Sequence, residues 1–467
     1  MMMLVGLLVA YLTLFSAGFG ITLLIFRGAP RVNILECFCL SWLFGTGTVS
    51  LSLWICGIFV SGLTLQIIVA SLCILLGAAG WRAIRHSPST FCLPSPAGWL
   101  EWLLAGLLLA EIALVLFVSC KHTLGWDGLL VWEIKARYAF LNSGVIPPGY
   151  YSNPGRAFSH PEYPLGIPFT ELWLYLWMGQ PHQYWVKTIF GIYYAAGAVL
   201  LGLLAARISG HRWSGLAVAT ILPFIPFLTS APGGVIVGYA DFPLSIVYLA
   251  GLGYLLLFLV NDDSRALIIY SGCLALLPWI KREGLILWSV LAFLGFIVSW
   301  RRAKLARFGI SLLPGIFLMV SWRVYLAFVH SVPSSEFSLS ISGKLTELAA
   351  RIGPITRLLL VEVSNQADWS VFWLAAALAV LYLVFRFRTM QSWILIAAVI
   401  APIGLYCATY LFTTWSSYTA HVTSSLPRLL LQIIPVSLLA IATVLPLRLG
   451  RLRNPGSGSL NNSRSRP

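Results

Sequence analysis

The sequence predicts an all-α polytopic membrane protein, and three observations carry that prediction. Of the 467 residues, 59% are hydrophobic and 10% charged, with a mean hydropathy of +0.88, too apolar for a water-soluble globule. Apolar runs close to the ~20 residues that cross a bilayer recur along the whole chain. Basic residues gather in short loops between alternate pairs of these runs, as they do in membrane topologies.

About thirteen transmembrane helices follow, at 4–26, 36–59, 62–81, 99–119, 184–205, 214–231, 242–260, 266–280, 284–300, 309–329, 370–385, 391–411 and 428–447. The first lacks a basic leader and a small-residue cleavage site, so it reads as a retained helix and not a signal peptide. Residues 1–97 form three additional N-terminal helices, nearly free of acidic residues, that read as an added scaffold. Residues 98–450 form the main membrane domain, with long outer loops at 120–183 and 330–369. In the first loop, Pro147-Pro148-Gly149 and Asn153-Pro154-Gly155 are turn signals. The apolar, aromatic stretch Leu165–Met178 after them is assigned to a helix lying at the membrane interface. Counted as a span, it would reverse every later loop and put the basic cluster Arg301–Arg307 outside. In the second loop, apolar residues at helical spacing over 343–352 and 355–363 flank Gly353-Pro354, suggesting a broken amphipathic surface helix. The tail, 451–467, is rich in Gly, Ser, Asn and Arg and reads as disordered and cytoplasmic.

Charge fixes the expected orientation. Eighteen of the 30 Lys and Arg fall on one side, which the positive-inside rule makes cytoplasmic; the other side holds ten of the 15 Asp and Glu. The N-terminus is then outside and the C-terminus inside, in a cell (inner or plasma) membrane. The net charge of +15 reflects this topology and not a nucleic-acid partner. There is no P-loop and no Gly-x-Gly-x-x-Gly after a strand, so a cytosolic nucleotide has no visible seat. Six of the eight cysteines lie within apolar spans as small buried hydrophobes. Cys37-Phe38-Cys39 lacks the second pair that a zinc site needs, and Cys92 and Cys120 fall on opposite sides.

The polar, charge-dense interval Trp126–Tyr138, with His160-Pro161-Glu162-Tyr163-Pro164 behind it, is where chemistry is expected, because acidic groups beside lipid are costly without a role. Asp127 follows the helix ending near Val118–Cys120 on the outer face. It is either a general base that takes a proton from an acceptor hydroxyl or the N-cap of a helix starting at Gly128 or Leu129. A single carboxylate suffices when the leaving group is a phosphate, whereas glycoside hydrolysis usually needs a second acid. Glu133 and Arg137 stand at i and i+4, as a surface ion pair would. The two prolines around Glu162 and Tyr163 fix a turn that either aims them, with His160, into a cleft or anchors Tyr163 among lipid headgroups. Asp241, with Pro243 two positions on, either starts a helix or supplies a second carboxylate at the level of Asp127. Lys281, Arg282 and Arg323 lie toward the outer side, where topology disfavours cations. Arg428 follows Pro427 at the expected start of the last helix, where a cation opposes the helix dipole unless an anion sits there. These four cations either snorkel to headgroups or together hold a lipid phosphate. Glu111, near the middle of its span, is expected to pair with a neighbouring helix.

In order, the chain has a helix, Trp126-Asp127-Gly128 with Trp132-x-x-Lys135-Ala136 behind it, a His-Pro-x-Tyr-Pro turn, an Asp at the outer end of a later helix, and Lys281-x-Glu283-Gly284. This order resembles the glycosyltransferase C superfamily, in particular its protein mannosyltransferase and aminoarabinose transferase-like branch. The resemblance covers roughly residues 99–447. It implies a polyprenyl-phosphate sugar donor, inversion at the anomeric carbon on the outer face of the membrane, and Asp127 as catalytic base. Two departures stand out: three helices precede the Asp loop, and the Asp-Glu pair of some members is Asp127-Gly128 here. The expected site is therefore Asp127 as base, with Glu133, His160, Glu162, Tyr163 and Asp241 around the sugars. Lys281, Arg282, Arg323 and Arg428 are expected on the lipid phosphate. The partners implied are the donor, membrane lipid and a glycan, lipid or protein acceptor. No metal site is assigned, and a divalent cation near Asp127 and Asp241 stays open. The alternative from another class is a transporter or lipid flippase that uses acidic residues as an ion relay, which requires midplane carboxylates and interrupted helices.

Overall fold

The computed structural model describes residues 2–87, 89–229, 233–332, 336–337, 345–386 and 388–445. The expected disordered tail and the Gly343-Lys344 start of the surface helix lie outside them. The described chain is almost wholly helical. Its only sheet pairs β1 (Arg31–Asn33) in parallel with β2 (Thr90–Cys92), a short clasp the sequence did not announce.

Three long helices come first: α1 (Met2–Ile25), α2 (Ile34–Gly57) and α3 (Gly62–Arg85). Asn33 sets the start of α2, its side chain accepting from the Leu35 and Glu36 amides, as a favoured cap does. Next are α4 (Trp99–Lys121), a π-helical stretch Gly128–Glu133, α5 (Ile134–Leu141), the single turn α6 (Pro148–Tyr151) and α7 (Gly166–Met178). The short α8 (Gln183–Val186) leads into α9 (Thr188–Ser209), followed by α10 (Arg212–Ile221) and α11 (Pro226–Thr229). A run of antiparallel helices comprises α12 (Asp241–Asn261), α13 (Ser264–Ile280), α14 (Gly284–Arg301) and α15 (Leu305–Phe328). The last third holds α16 (Leu345–Val363), α17 (Gln366–Trp369), α18 (Phe372–Arg386), α19 (Met390–Tyr410), α20 (Tyr418–Leu431) and α21 (Ile434–Val444).

Among the described residues, nine helices are long and apolar enough to cross a membrane, or ten if the bent pair α20 and α21 is one span. The sequence expectation of thirteen differs at identifiable places. The run at 214–231 is cut after Ile221 by Pro223 and Pro226, each of which lacks the N–H that a helix interior needs. The runs at 266–280 and 370–385 form α13 and α18, apolar helices of 17 and 15 residues. At about 1.5 Å per residue these are shorter than a ~30 Å hydrocarbon layer. The last run starts earlier than expected, because Ser417 caps α20 ten residues before Pro427, and the helix bends by 49° near Gln432.

Two loop helices also differ from expectation. The stretch assigned to the interface is α7, which is enclosed by α1, α2 and α5 and buried on nearly every face. An interfacial helix shows a polar face to water; α7 shows none, even its Thr170 and Glu171 being buried within the protein. The surface helix of the second loop is one continuous α16, with Pro354 accommodated inside it.

One apolar core runs from Leu7 of α1 to Ala442 of α21, so the three N-terminal helices share it. The most enclosed helix is α12, with 83% of its apolar window buried, against 22% for α3 and α4 at the periphery. Large apolar side chains such as Leu8, Leu75, Leu109, Phe117, Phe317 and Phe385 cover the outer surface, far more than water tolerates on a soluble protein. Charged pairs collect at the two ends of the bundle. Glu36 with Arg207, and Asp262 with Lys304, lie at one end; Asp241, at the start of α12, belongs to the other. By helix rise, the 21 residues of α12 separate the two ends by about 30 Å, one hydrocarbon thickness.

Candidate functional site

The Trp-Asp-Gly segment is held by close packing. Gly128 sits where a Cβ would meet the Val237 carbonyl oxygen at 2.5 Å, so only glycine lets the start of the π-helical stretch lie against 235–238. Asp127 caps nothing: its backbone is already helical, and its side chain makes no capping hydrogen bond. Its carboxylate instead pairs with Arg428 of α20. Tyr239 supports both partners. Its hydroxyl accepts from the Asp127 amide at 3.2 Å, and its ring lies 5.5 Å below the guanidinium. Arg428 lies in the last turn of α20, not in a first turn as expected, so the helix dipole favours it there.

Asp241 is likewise no cap, since Ala240 occupies that position. Its buried Oδ1 accepts from Lys281 Nζ at 2.7 Å and from Gln432 Nε2 at 2.6 Å. Glu283 closes on the same ammonium at 2.9 Å. Gln432 stands in the break between α20 and α21, and its Oε1 accepts from the Tyr406 hydroxyl at 2.6 Å. Burial alone would depress the Lys281 ammonium; the two carboxylates outweigh it and hold its pKa above the ordinary lysine value. Lys281 was expected on a lipid phosphate, yet its charge is enclosed by Asp241 and Glu283. Arg428 is within electrostatic reach of Asp241 and Glu283 as well as Asp127, so the two pairs form one charged cluster.

A cavity of about 370 Å³ opens beside it, in the range of small-ligand sites. Glu162, Arg282 and Arg323 give its wall a charged side, and Trp279, Leu318 and Trp322 an apolar one. Asp127, Asp241 and Arg428 are not on that wall. The His160–Pro164 turn carries Glu162 into it. His160 adopts the left-handed conformation (φ 47°), unusual outside glycine, and its imidazole stands 3.6 Å from Glu162 and 3.9 Å from Glu336. Arg282 reaches Glu162 only at 3.7 Å. These separations are too long for hydrogen bonds. Glu162 Oε1 and Arg282 Nη1 are accordingly buried without a hydrogen-bond partner among the described residues. Burial pushes the Glu162 carboxyl up, but His160 and Lys135 outweigh it and leave its pKa below the usual range. At Glu336 burial prevails, with Glu283 and Glu162 adding to it, and the pKa rises. Arg323 is exposed on α15 and makes no ion pair among the described residues.

Tyr163 is not a headgroup anchor: it is buried, stacked on His160 with ring centroids 4.7 Å apart and tilted against Trp132. Glu133 makes the expected pair with Arg137 at 2.9 Å, but it is buried and not on the surface, and Tyr175 also donates to it at 3.0 Å. It does not line the cavity beside the cluster. Among the described residues the partner expected for Glu111 is not found, both of its carboxyl oxygens being buried without hydrogen bonds. No group of three His, Cys, Asp or Glu side chains with metal-ligand placement occurs among the described residues. Asp127 and Asp241, where a cation stayed open, face Arg428 and Lys281. All eight cysteines are free.

Three contributors were not singled out from sequence. Glu283 and Lys135 were visible within Lys-x-Glu-Gly and Trp-x-x-Lys-Ala, while Gln432 sits in an apolar run with no motif around it. No family model, no curated protein and no solved structure matches the chain.

Proposed function

We propose that the protein is an integral membrane glycosyltransferase that moves a sugar from a polyprenyl-phosphate donor to an acceptor hydroxyl at the outer face. The observation that carries the reading is the meeting of Asp127 with Arg428, and of Asp241 with Lys281, at one end of the bundle beside an amphipathic cavity. Arg282 and Arg323 are the cations on that cavity wall, and they take the donor phosphate, while Trp279, Leu318 and Trp322 receive the first isoprene units. Lys281 holds Asp241 and Glu283 in place. In the transfer, Asp127 accepts the proton of the acceptor hydroxyl as its oxygen attacks the anomeric carbon from the face opposite the phosphate. The bond from that carbon to the phosphate oxygen breaks, and prenyl phosphate leaves with the electron pair. Phosphate is a good leaving group without protonation, so no second acid is required. Arg428 pairs with Asp127 between turnovers and exchanges it for donor or acceptor oxygens. His160 and Glu162 supply acceptors for sugar hydroxyls, while Asp241 stays buried against Lys281 and Gln432. The acceptor is a glycan, lipid or protein.

A cell-membrane location with the N-terminus outside follows from the basic loops. The expected sidedness is supported by ion pairs that join residues placed on the same side, such as Lys304 with Asp262 and Asp127 with Arg428. The unpartnered Glu111 within α4 and the break between α20 and α21 favour a second reading, an ion-coupled transporter or lipid flippase. Vesicles containing the protein, a panel of prenyl-phosphate sugars labelled in the sugar, and a membrane extract as acceptor source separate the two. Label on a new species with release of prenyl phosphate supports transfer. Intact donor on the opposite leaflet supports transport. Neither product across the panel refutes both.

A further inference from the structure

We propose that Lys135 is a positioning residue that pins the segment bearing Asp127 to the turn bearing Glu162, so that base and cavity wall keep a fixed register. The glycosyltransferase reading enters only in what that register serves.

Lys135 lies in α5, eight residues after Asp127, and is completely buried. Burying a lysine without a paired anion is unfavourable, and a leucine or methionine would fill the same space without that penalty. No carboxylate comes within ion-pair distance of it among the described residues. Its ammonium is instead boxed by the rings of Trp132 and Tyr163, each 5.6 Å away, and donates to the His160 carbonyl at 2.7 Å. That carbonyl belongs to the left-handed His160 and also accepts from the Tyr163 amide at 3.0 Å. On the far side of the turn, Trp322 Nε1 donates to the Glu162 carbonyl at 3.0 Å. The strained turn is thus held from two directions, by Lys135 from the Asp127 segment and by Trp322 from the cavity wall. Between these clamps the Glu162 carboxylate faces Arg282. Burial draws the Lys135 pKa down to about 7, with Glu162 opposing, which fits an ammonium held by dipoles and rings and not by a paired anion.

The test uses the full-length protein in detergent with Lys135→Met and Lys135→Arg, and two readouts. One is amide hydrogen exchange over residues 157–164, with α12 as internal reference; the other is binding of prenyl phosphate without sugar. For Lys135→Met we expect exchange in the turn to rise about tenfold while α12 is unchanged. Prenyl-phosphate binding should weaken about tenfold, as misplaced site groups do. Lys135→Arg, which keeps a cationic N–H donor, should recover most of both. Wild-type exchange in the turn of Lys135→Met overturns the pin. Faster exchange with unchanged prenyl-phosphate binding overturns the positioning role. Should the wild type itself not bind prenyl phosphate, the donor-site reading fails, and the exchange data alone then decide on the pin. If Lys135→Met does not fold, Lys135→Gln takes its place under the same criteria.

Discussion

Lys281→Met is the most informative perturbation of the charged cluster, because its size follows from the geometry. The ammonium lies 2.7 Å from Asp241 and 2.9 Å from Glu283, and the side chains of Lys281 and Asp241 are 3% and 1% exposed. Methionine matches the volume and loses the charge, so Asp241 keeps only its bond from Gln432. Removing one partner of a buried pair typically costs about 3–5 kcal/mol, because the remaining charge is left uncompensated. The loss is measured by chemical denaturation of the detergent-solubilised protein, followed by tryptophan fluorescence. Asp241→Asn should be destabilising too. The double variant should lose less than the sum of the singles, by about 1–3 kcal/mol, since each single leaves a charge that the double removes. A single variant as stable as the wild type, or strict additivity, would refute the claim that Lys281 is structurally neutralised, and would return it to the phosphate.

Three further outcomes follow from the same geometry. Arg323→Ala should weaken prenyl-phosphate binding about tenfold or more, the worth of a charge-assisted hydrogen bond. Arg301→Ala, at the other end of α14, should leave it unchanged in the same titration. The folded-state pKa of Lys135, about 7, lies below that of the unfolded chain, so between pH 7 and 10 the unfolded state binds more protons and stability rises with pH. Denaturation of wild type against Lys135→Met should show the wild type gaining stability relative to the variant across that window. Glu111→Gln should leave sugar transfer at the wild-type rate; loss of activity on removing this one ionisable group would favour the transporter.

Much of the architecture was legible because apolar run length and basic loops report directly on lipid burial. The boundaries that failed have physical causes that were also present in the sequence. Pro223 and Pro226 stood inside the run at 214–231, and the stretch that became α7 carries Glu171 as its one charged residue, too little for a water-facing side. The Asp127, Asp241 and Glu162 positions were legible as acids at one membrane face. Their partners were not. Asp127 meets Arg428 across 301 residues, and Asp241 meets Lys281 across 40 and Gln432 across 191. No local pattern encodes such pairings. They decide which cations are neutralised within the protein and which, like Arg282 and Arg323, line the cavity. Lys135 was named only within the Trp-x-x-Lys-Ala pattern, because the Tyr163 ring and the His160 carbonyl that hold it come from another segment.

If Asp127 takes the acceptor proton during sugar transfer, the turnover number of Asp127→Asn registers its loss. With the acceptor and donor identified from the vesicle experiment, kcat should fall by about 10²–10⁴, the usual worth of a general base, with the donor KM little changed. Turnover at the wild-type rate by Asp127→Asn would contradict it.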